Sequence, residues 1–515
     1  MILKSEMKLY GFLFFASIIT TLPSPLFSQS TNKTISREKA IYYEKYLNSK
    51  DCSIHTSIKP LLNPTEKDTL FPLYKPDMND DLVITPIINS SYNRDDNTSI
   101  TLNHFQLEGG VAIGAVKNNK LSLNLTFLSG SSSFPSFIDS TIKRFHIIPG
   151  MGIAHQNKEH YSYQYYSGYM SYSPNSIFNF QVGRDKSFFG DGYRSLFLSD
   201  VSNSYPFFKL STTVWKIKYV SLFALLKDVS TSIYQQDFKN KYGTFHYLSW
   251  NASKRINLSV FESIVWQGSD SNRVRYFDVN YLNPVIFYRP VEYSLGSSDN
   301  SFLGVGFKVK VGRKYSHQFY GQIILDEFLL SEIKAMNGWW GNKQGVQLGY
   351  KYFDVFGIKN LQFQTEVNSV RPYTYSHGSP QQNYAHYNQA LAHPLGANFS
   401  ESVSFLNYHF NRWFLEAEFL YAYYGKNYMN TNYGGNIFES YYPHPKEYGN
   451  KIGQGLKTTL TYSQYKIAYT LIPSMDMIAE VGFAVRKEDN YLSPNSAHLF
   501  FIALKTRWIN RYSDY

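Results

Sequence analysis

The sequence predicts an all-β fold, a transmembrane antiparallel β-barrel of about 18 strands preceded by a short N-terminal periplasmic helical segment. Three observations predict it. Apolar and polar residues alternate strictly through many short segments. Those segments come in pairs joined by very short polar turns, with longer excursions between pairs. Aromatic residues reach 18% of a chain whose mean hydropathy is only −0.34, so the strands must face two solvents, one apolar and one aqueous.

From the N-terminus, residues 1–28 read as a secretory leader. Lys4 and Lys8 precede an apolar stretch from Leu9 to Leu22, and Ser28 supplies the small residue at the expected cleavage site. The stretch is about 14 residues, short of the roughly 20 that a spanning helix needs. Residues 29–81 are expected to form a periplasmic helix and tether. Ser36 to Leu47 (SREKAIYYEKYL) has helical spacing, and Asp51 to Asp81 is Pro-rich and extended. The barrel is expected over residues 82–515, with clear strand pairs from about residue 100.

Within the barrel, LQFQTEVN sets Leu361, Phe363, Thr365 and Val367 against Gln362, Gln364, Glu366 and Asn368. The stretches LSLNLTF (Leu121 to Phe127), LGVGFKVKV (Leu303 to Val311) and WFLEAEFLY (Trp413 to Tyr421) alternate in the same way. A soluble β-sandwich would pack each oily face on a second sheet in a domain of about 100 residues. Here about eighteen segments of roughly 9 to 11 residues recur, with short turns such as KNNK (Lys117 to Lys120) at one rim and long loops at the other. The carboxylates of Glu366, Glu416 and Glu418 must then face a hydrated lumen, because lipid exposure costs several kcal/mol. The last alternating strand, HLFFIALKTRW, places Phe500, Ile502, Leu504 and Trp508 on one face, and Tyr512 and Tyr515 are expected in an interfacial girdle.

Composition removes several function classes. One cysteine, Cys52, permits no intramolecular disulfide, so the chain is not a disulfide-stapled scaffold. The formal charge of +11 is scattered, which gives no nucleic-acid footprint. Gly190, Gly192 and Ser195 nearly match a dinucleotide loop, but no helix follows to meet a pyrophosphate. Ser36 and Lys39 with Ser298-Asp299-Asn300 imitate two elements of a penicillin-recognising enzyme, yet Lys457-Thr458-Thr459 lacks the glycine of the third. His377, His386 and His393 share one loop at spacings that fit no compact metal signature, and they read as exposed loop histidines. No cofactor, metal or catalytic role is expected. A barrel hydrolase would leave no local motif and would need a Ser or Asp nucleophile and a His within about 3 Å at the rim.

Candidate binding residues cluster in three places. In GRDKSFFGDGYRSLFLSD (183–200), glycines let the backbone approach a neighbour, and Arg184, Asp185, Asp191 and Arg194 mix charge in a way that suits a lumen. That stretch reads either as a lumen-filling network or as a sugar or carboxylate contact. Asp326, Glu327, Trp339, Trp340 and Lys343 fall in a second long loop, where the two tryptophans serve equally well as a lipid-interface anchor. Arg371, Tyr373, Tyr375 and His377 fall in a third. Aromatic faces stack on sugar rings, while carboxylates, amides and arginines bond hydroxyls.

The opening stretch with the following YPFFKL resembles the Wzi-type capsule-assembly barrels of outer membranes, and more closely the RemB-type proteins of gliding bacteria. The resemblance extends to IIPGMG (Ile147 to Gly152), YLNPVIFYRP (Tyr281 to Pro290), QIILDEF (Gln322 to Phe328), RPYTYSH (Arg371 to His377) and HPLGAN (His393 to Asn398). The glycine turn reads FFGDG in place of the family's commoner WGPG. The resemblance implies a monomeric barrel of about eighteen strands with a small periplasmic helical part, acting without covalent chemistry as a lectin for capsular polysaccharide. The expected surroundings are an exported polysaccharide, acidic if the net charge matters, and outer-membrane lipid and lipopolysaccharide. A structural role in gliding or adhesion machinery, with protein partners on the loops, is the main rival.

Overall fold

The computed structural model describes residues 36–49, 52–61, 82–97, 101–118, 120–229, 238–270, 273–274, 279–282, 299–312 and 315–515. The expected leader lies outside the described residues, as do residues 62–81 of the tether. Eighteen antiparallel strands form the wall. The first six are β1 (Leu82–Asn97), β2 (Thr101–Lys117), β3 (Leu121–Ser132), β4 (His160–Tyr172), β5 (Phe178–Asp185) and β6 (Tyr205–Val214). Next come β7 (Ile217–Asp228), β8 (Lys239–Trp250), β9 (Ile256–Gln267), β10 (Asn300–Val311), β11 (His317–Leu325) and β12 (Gln344–Phe353). The last six are β13 (Leu361–Val370), β14 (Phe399–Phe410), β15 (Trp413–Lys426), β16 (Leu456–Ile472), β17 (Met477–Asp489) and β18 (Asn495–Thr506). Each pairs with its neighbour in sequence, and β1 closes the ring on β18.

Closure explains the alternation. Leu121, Leu125, Phe127, Val305, Phe307, Val367, Phe419 and Tyr421 stand exposed on the outer face, while Lys308, Lys310, Glu366, Asn368, Glu416 and Glu418 are buried within. Exposed Tyr172, Trp215, Trp250, Phe410 and Trp413 ring the short-turn rim as an interfacial belt. β1 begins at Leu82, ahead of the first clear alternation, because Pro86 and the polar run NSSYNRDDN disguise it. Pro86 is tolerated where β1 pairs with β2 alone; pairing with β18 starts only at Ser90.

An eighteen-strand lumen is too wide for wall side chains to fill. Several segments of the chain fill it, residues 52–61 and loop 371–398 among them, and three of these segments are tied together by charge. The first is the connection from β5 to β6, residues 186–204, whose Phe189, Leu196, Phe197 and Leu198 are wholly buried. Phe189 stacks on Tyr247 at 4.7 Å and Phe197 on Phe261 at 4.9 Å. This plug presses glycine backbone against the wall: a Cβ at Gly192 would lie 2.3 Å from Glu366 Oε2, and one at Gly190 2.6 Å from Gln322 Nε2. Glu366 accepts the backbone N–H groups of Tyr193 (2.9 Å) and Arg194 (3.1 Å), so the plug's unpaired donors are satisfied by a wall carboxylate.

The second is the helix α1 (Arg37–Leu47), which starts one residue after the expected boundary because Ser36 is its N-cap. Rather than hanging below the barrel, α1 sits in the short-turn mouth. Its charges pair with the wall and the turns: Arg37 with Glu416 at 3.1 Å, Glu38 with Lys466 at 2.8 Å, Lys39 with Asp476 at 2.9 Å and Lys45 with Asp354 at 2.6 Å. Ile41 is its one buried apolar residue, so ion pairs and not hydrophobic burial seat it.

The third is the C-terminal tail, residues 507–515. The expectation that Tyr512 and Tyr515 sit in a lipid girdle is overturned, because the tail folds back into the lumen. Arg511 forks onto Glu108 at 2.6 and 2.8 Å, and the Tyr512 hydroxyl donates to Asp200 at 2.7 Å. Trp508 leaves the lipid face of β18 and lies under Lys39 at 4.8 Å. Too many hydrogen-bonding groups occupy the tail for lipid to accept it.

Arg194 joins all three. Its guanidinium reaches Glu401 of β14 at 3.1 Å and Asp514 of the tail at 2.7 Å, with the side chain fully buried. It also lies 4.6 Å from the Tyr193 ring centroid, which Arg37 approaches at 4.8 Å. Replacing Arg194 with Ala strands two buried carboxylates, which is expected to destabilise the barrel by about 3–5 kcal/mol. A lowered denaturant midpoint for the folded, fast-migrating species in micelles checks this; an unchanged midpoint contradicts it.

Candidate functional site

At the long-loop rim, three loops interlock: residues 326–343 between β11 and β12, 371–398 between β13 and β14, and 427–455 between β15 and β16. Backbone bonds tie the first to the third, Trp340 N–H to Glu447 O, Gly449 N–H to Asn337 O and Asn450 N–H to Gly338 O, each 2.9 Å. Tyr373 N–H donates to Gly434 O at 2.8 Å, which ties the second to the third. Arg371 spans the first two, donating to Asn342 O at 2.7 Å and Trp339 O at 3.2 Å. Asn398 pins the third to the end of β15 by donating to Gln454 O (2.9 Å) of that loop and to Gly425 O (3.1 Å) of the strand. Such side chain to backbone bonds give the long loops the satisfaction that strands find in a ladder.

Aromatic rings fill the junction. Trp340 stacks on His444 at 4.2 Å and meets Tyr441 at 5.1 Å, Trp339 at 5.9 Å and Tyr373 at 6.1 Å. Trp340 is 8% exposed and Tyr373 wholly buried, so the tryptophan pair forms a loop core and not a lipid anchor. Around this core Tyr442 (57%) and Tyr448 (53%) stand exposed, with Trp339 half-buried beside them. A buried aromatic base under an exposed aromatic surface is a rigid stacking platform.

Beneath the rings, Lys343 lies wholly buried, 3.3 Å from Asp326 Oδ1, 3.2 Å from Glu327 Oε2 and 4.5 Å from the Tyr441 centroid. Asp326 also accepts the Tyr375 N–H at 2.9 Å, and the Tyr375 hydroxyl donates to Leu196 O of the plug at 2.8 Å. Burial pushes the Asp326 carboxyl up to about 7, with Glu327 adding to the rise and Lys343 opposing it. Burial likewise lowers the His377 imidazole and the Arg371 guanidinium.

The candidates from the sequence therefore separate. Asp326, Glu327, Trp339, Trp340, Lys343, Arg371, Tyr373, Tyr375 and His377 come together at the rim. Asp185, Asp191 and Arg194 do not join them. Asp191 accepts Thr56 Oγ1 at 2.5 Å and pairs with Lys308 at 3.2 Å deep in the lumen, and Asp185 accepts the Lys186 N–H at 2.8 Å. Arg184 is not in the lumen at all. It continues the outward row of Phe180 and Val182 and lies 4.6 Å over the exposed Tyr166 ring.

Tyr441, Tyr442, His444 and Tyr448 complete the platform and were missed as residues. The aromatic density of YYPHPKEY is the signal that marks them.

The expectation of exposed loop histidines is also corrected. His377, His386 and His393 are buried, accepting or sharing bonds with Ser379 N, Lys227 N and Glu401 respectively. No group of three or more His, Cys, Asp or Glu among the described residues could hold a metal ion. A Ser–His contact does occur, Ser249 Oγ to His55 Nδ1 at 2.9 Å, but Ser249 is wholly buried and accepts Asn257 Nδ2 at 2.8 Å. It lies inside the lumen near the short-turn end and not at the rim.

No family model matches the chain, and no curated protein matches it. Solved structures do. Wzi of Escherichia coli, described as an outer membrane protein involved in group 1 capsule assembly and as a carbohydrate-binding β-barrel, aligns with TM-score 0.56 at 11% identity over 92% of this chain and 99% of its own. OccAB2 of Acinetobacter baumannii aligns with TM-score 0.44 at 7% identity over 84% and 99%. OprD of Pseudomonas aeruginosa aligns with TM-score 0.42 at 8% identity over 82% and 94%. The fold is that of an outer-membrane β-barrel.

The raised Asp326 carboxyl fixes a pH dependence. The folded rim holds this proton more tightly than the unfolded chain, so its stabilisation is complete below the ordinary carboxylate range and is lost as pH rises through about 7. Amide exchange at Tyr375, corrected for the intrinsic rate, is expected to be slower at pH 5 than at pH 8, and D326N should flatten the difference. A wild-type profile as flat as that of D326N contradicts this.

Proposed function

We propose that this chain is a non-enzymatic outer-membrane barrel that binds or organises an exported polysaccharide at the cell surface. Residues 1–28 are its leader, the short turns face the periplasm and the long loops face outward. The observation that carries the reading is the aromatic platform: Trp339 and Tyr442 pack against the buried Trp340, Tyr373 and Tyr441 cluster, and exposed Tyr448 lies between the two residues whose backbone bonds tie its loop to that of Trp340. Sugar rings stack on aromatic faces, and the exposed edge of Glu327 and the half-buried Arg371 provide an acceptor and a donor for hydroxyls or carboxylates. Lys343, Asp326, Tyr375 and His377 act from below by fixing the platform. The fold shared with a carbohydrate-binding barrel agrees with this reading.

A second reading has its own observation. Leu329, Leu330 and Met336, exposed on and around the short helix α2 (Leu330–Ala335), adjoin Tyr448 through the Gly449–Asn337 bond and form an apolar surface suited to a protein partner of adhesion or gliding machinery.

One experiment separates them. Surface polysaccharide from the native cell is titrated onto the purified barrel, with W339A/Y442A/Y448A as the variant. Binding weakened about 10-fold or more, as the loss of several stacking contacts predicts, supports the glycan reading. Undiminished glycan binding in that variant, or none in the wild type, would leave the protein-partner reading in its place.

A further inference from the structure

β5 and β6 are cut short at their outer ends. Strand β5 stops at Asp185 and β6 begins at Tyr205 because the chain between them dives into the lumen as the plug. Their neighbours do not stop there. β4 pairs with β5 only from Gly168 to Tyr172, pairs with no strand on that edge from Tyr163 to Ser167 and takes the short strand His155–Asn157 from His160 to Ser162, while β7 runs on past its last β6 pairing at Ala224 to Asp228. The wall therefore has a notch facing the outer leaflet. From inside it is backed by loop 371–398: His386 meets Ser204 O at 3.2 Å and accepts Lys227 N–H at 2.9 Å, and Tyr387 N–H donates to Lys227 O at 3.0 Å.

Two cations border this notch on the outward face. Arg184 is held rather than free to swing: its Nε donates to Ser204 Oγ at 3.1 Å, Ser204 Oγ donates to Tyr166 O at 2.9 Å, and the guanidinium lies 4.6 Å from the Tyr166 ring centroid. Its two terminal nitrogens carry no hydrogen bond from the described residues, so the fork keeps donors for an anion. Lys227, on the same face of β7 as Phe223, bonds Asn240 Oδ1. Neither cation has a carboxylate within ion-pairing distance among the described residues. Arg94 behaves differently at the same rim, since Asp96 neutralises it at 3.1 Å.

An outward cation on a barrel wall is costly unless something anionic meets it. At the top of the apolar band, where Phe127 and Tyr166 give way to Ser129, Ser131, Gln164 and Ser162 on the outer faces of β3 and β4, the available anions are lipid headgroups. We infer that the notch between β4 and β7 is a binding site for the phosphate of an outer-leaflet glycolipid, gripped by the Arg184 fork and by Lys227. The inference shares only the sidedness of the barrel with the proposed function, and the glycan platform lies on other loops.

The test uses the full chain in detergent, titrated with bisphosphorylated lipid A, with bound lipid counted by native mass spectrometry. The wild type is expected to retain it and to ignore the fully dephosphorylated form. R184Q/K227Q is expected to bind about 10-fold more weakly, as loss of charge-assisted bonds implies, while R94Q binds like the wild type. R184K, which keeps the charge and loses the fork, should fall between, and unheated gel mobility reports that each variant is folded. Equal retention by R184Q/K227Q, or equal retention of dephosphorylated lipid, overturns the site. Displacement by inorganic phosphate at millimolar concentration overturns the lipid assignment in favour of the free anion.

Discussion

Closing eighteen strands into a ring imposes the constraint on which the rest of this structure depends. The ring satisfies the wall's backbone and turns alternate residues to lipid, but it encloses more space than side chains span. Whatever fills that space must be chain, and chain brings backbone donors and acceptors into a buried, partly charged interior. The solution is paired charge. Arg194 with Glu401 and Asp514 holds the plug, Arg37 with Glu416 and Glu38 with Lys466 hold α1, and Arg511 with Glu108 holds the tail, with Arg37 and Arg194 both lying over the Tyr193 ring. The plug adds an apolar core to this paired charge, with Phe189, Leu196, Phe197 and Leu198 packed on inward wall residues such as Leu222, Tyr247 and Phe261.

Filling the lumen leaves the rim as the place of the proposed function. Loop 371–398 rests on the plug through Tyr375 to Leu196 O, Tyr384 to Phe197 O (2.7 Å) and Ser199 to Leu391 O (2.7 Å). The loops are thereby supported from below and laced to one another from the side, which preorganises their exposed rings and reduces the entropy a ligand must overcome. The same plug shortens β5 and β6 and so creates the notch at Arg184. One segment, GRDKSFFGDGYRSLFLSD, sets the interior, the floor of the rim and the gap in the wall.

How much of this was legible in the sequence follows from the range of each interaction. Alternation is local, so the outward rows of β3, β10, β13 and β15, and the lumen-facing Glu366, Glu416 and Glu418, can be read directly from the pattern. The helix could be read from its spacing and its Ser36 cap, but not its seat, because Arg37 meets Glu416 and Lys39 meets Asp476 hundreds of residues away. The same distance hid the fate of the tail, whose tyrosines look like girdle residues until Asp200 and Glu108 are placed beside them. At the rim, Trp340 and Tyr373 could be picked out by residue type. Their partner loop could not, since its register is set by backbone bonds such as Gly449 to Asn337 that leave no side-chain signature. Arg184 was misplaced for a subtler reason. Charge suggests a lumen, but its parity with Phe180 and Val182 already pointed outward.

The filled lumen is the claim from which the others follow, and planar-bilayer conductance of the purified, full-length protein tests it most directly. The structure predicts insertion without ohmic steps, a bilayer whose current stays at its leak while folded barrel is present. Stable open-channel steps of the size expected from an unobstructed eighteen-strand pore would contradict it, and would return function from the rim to the interior.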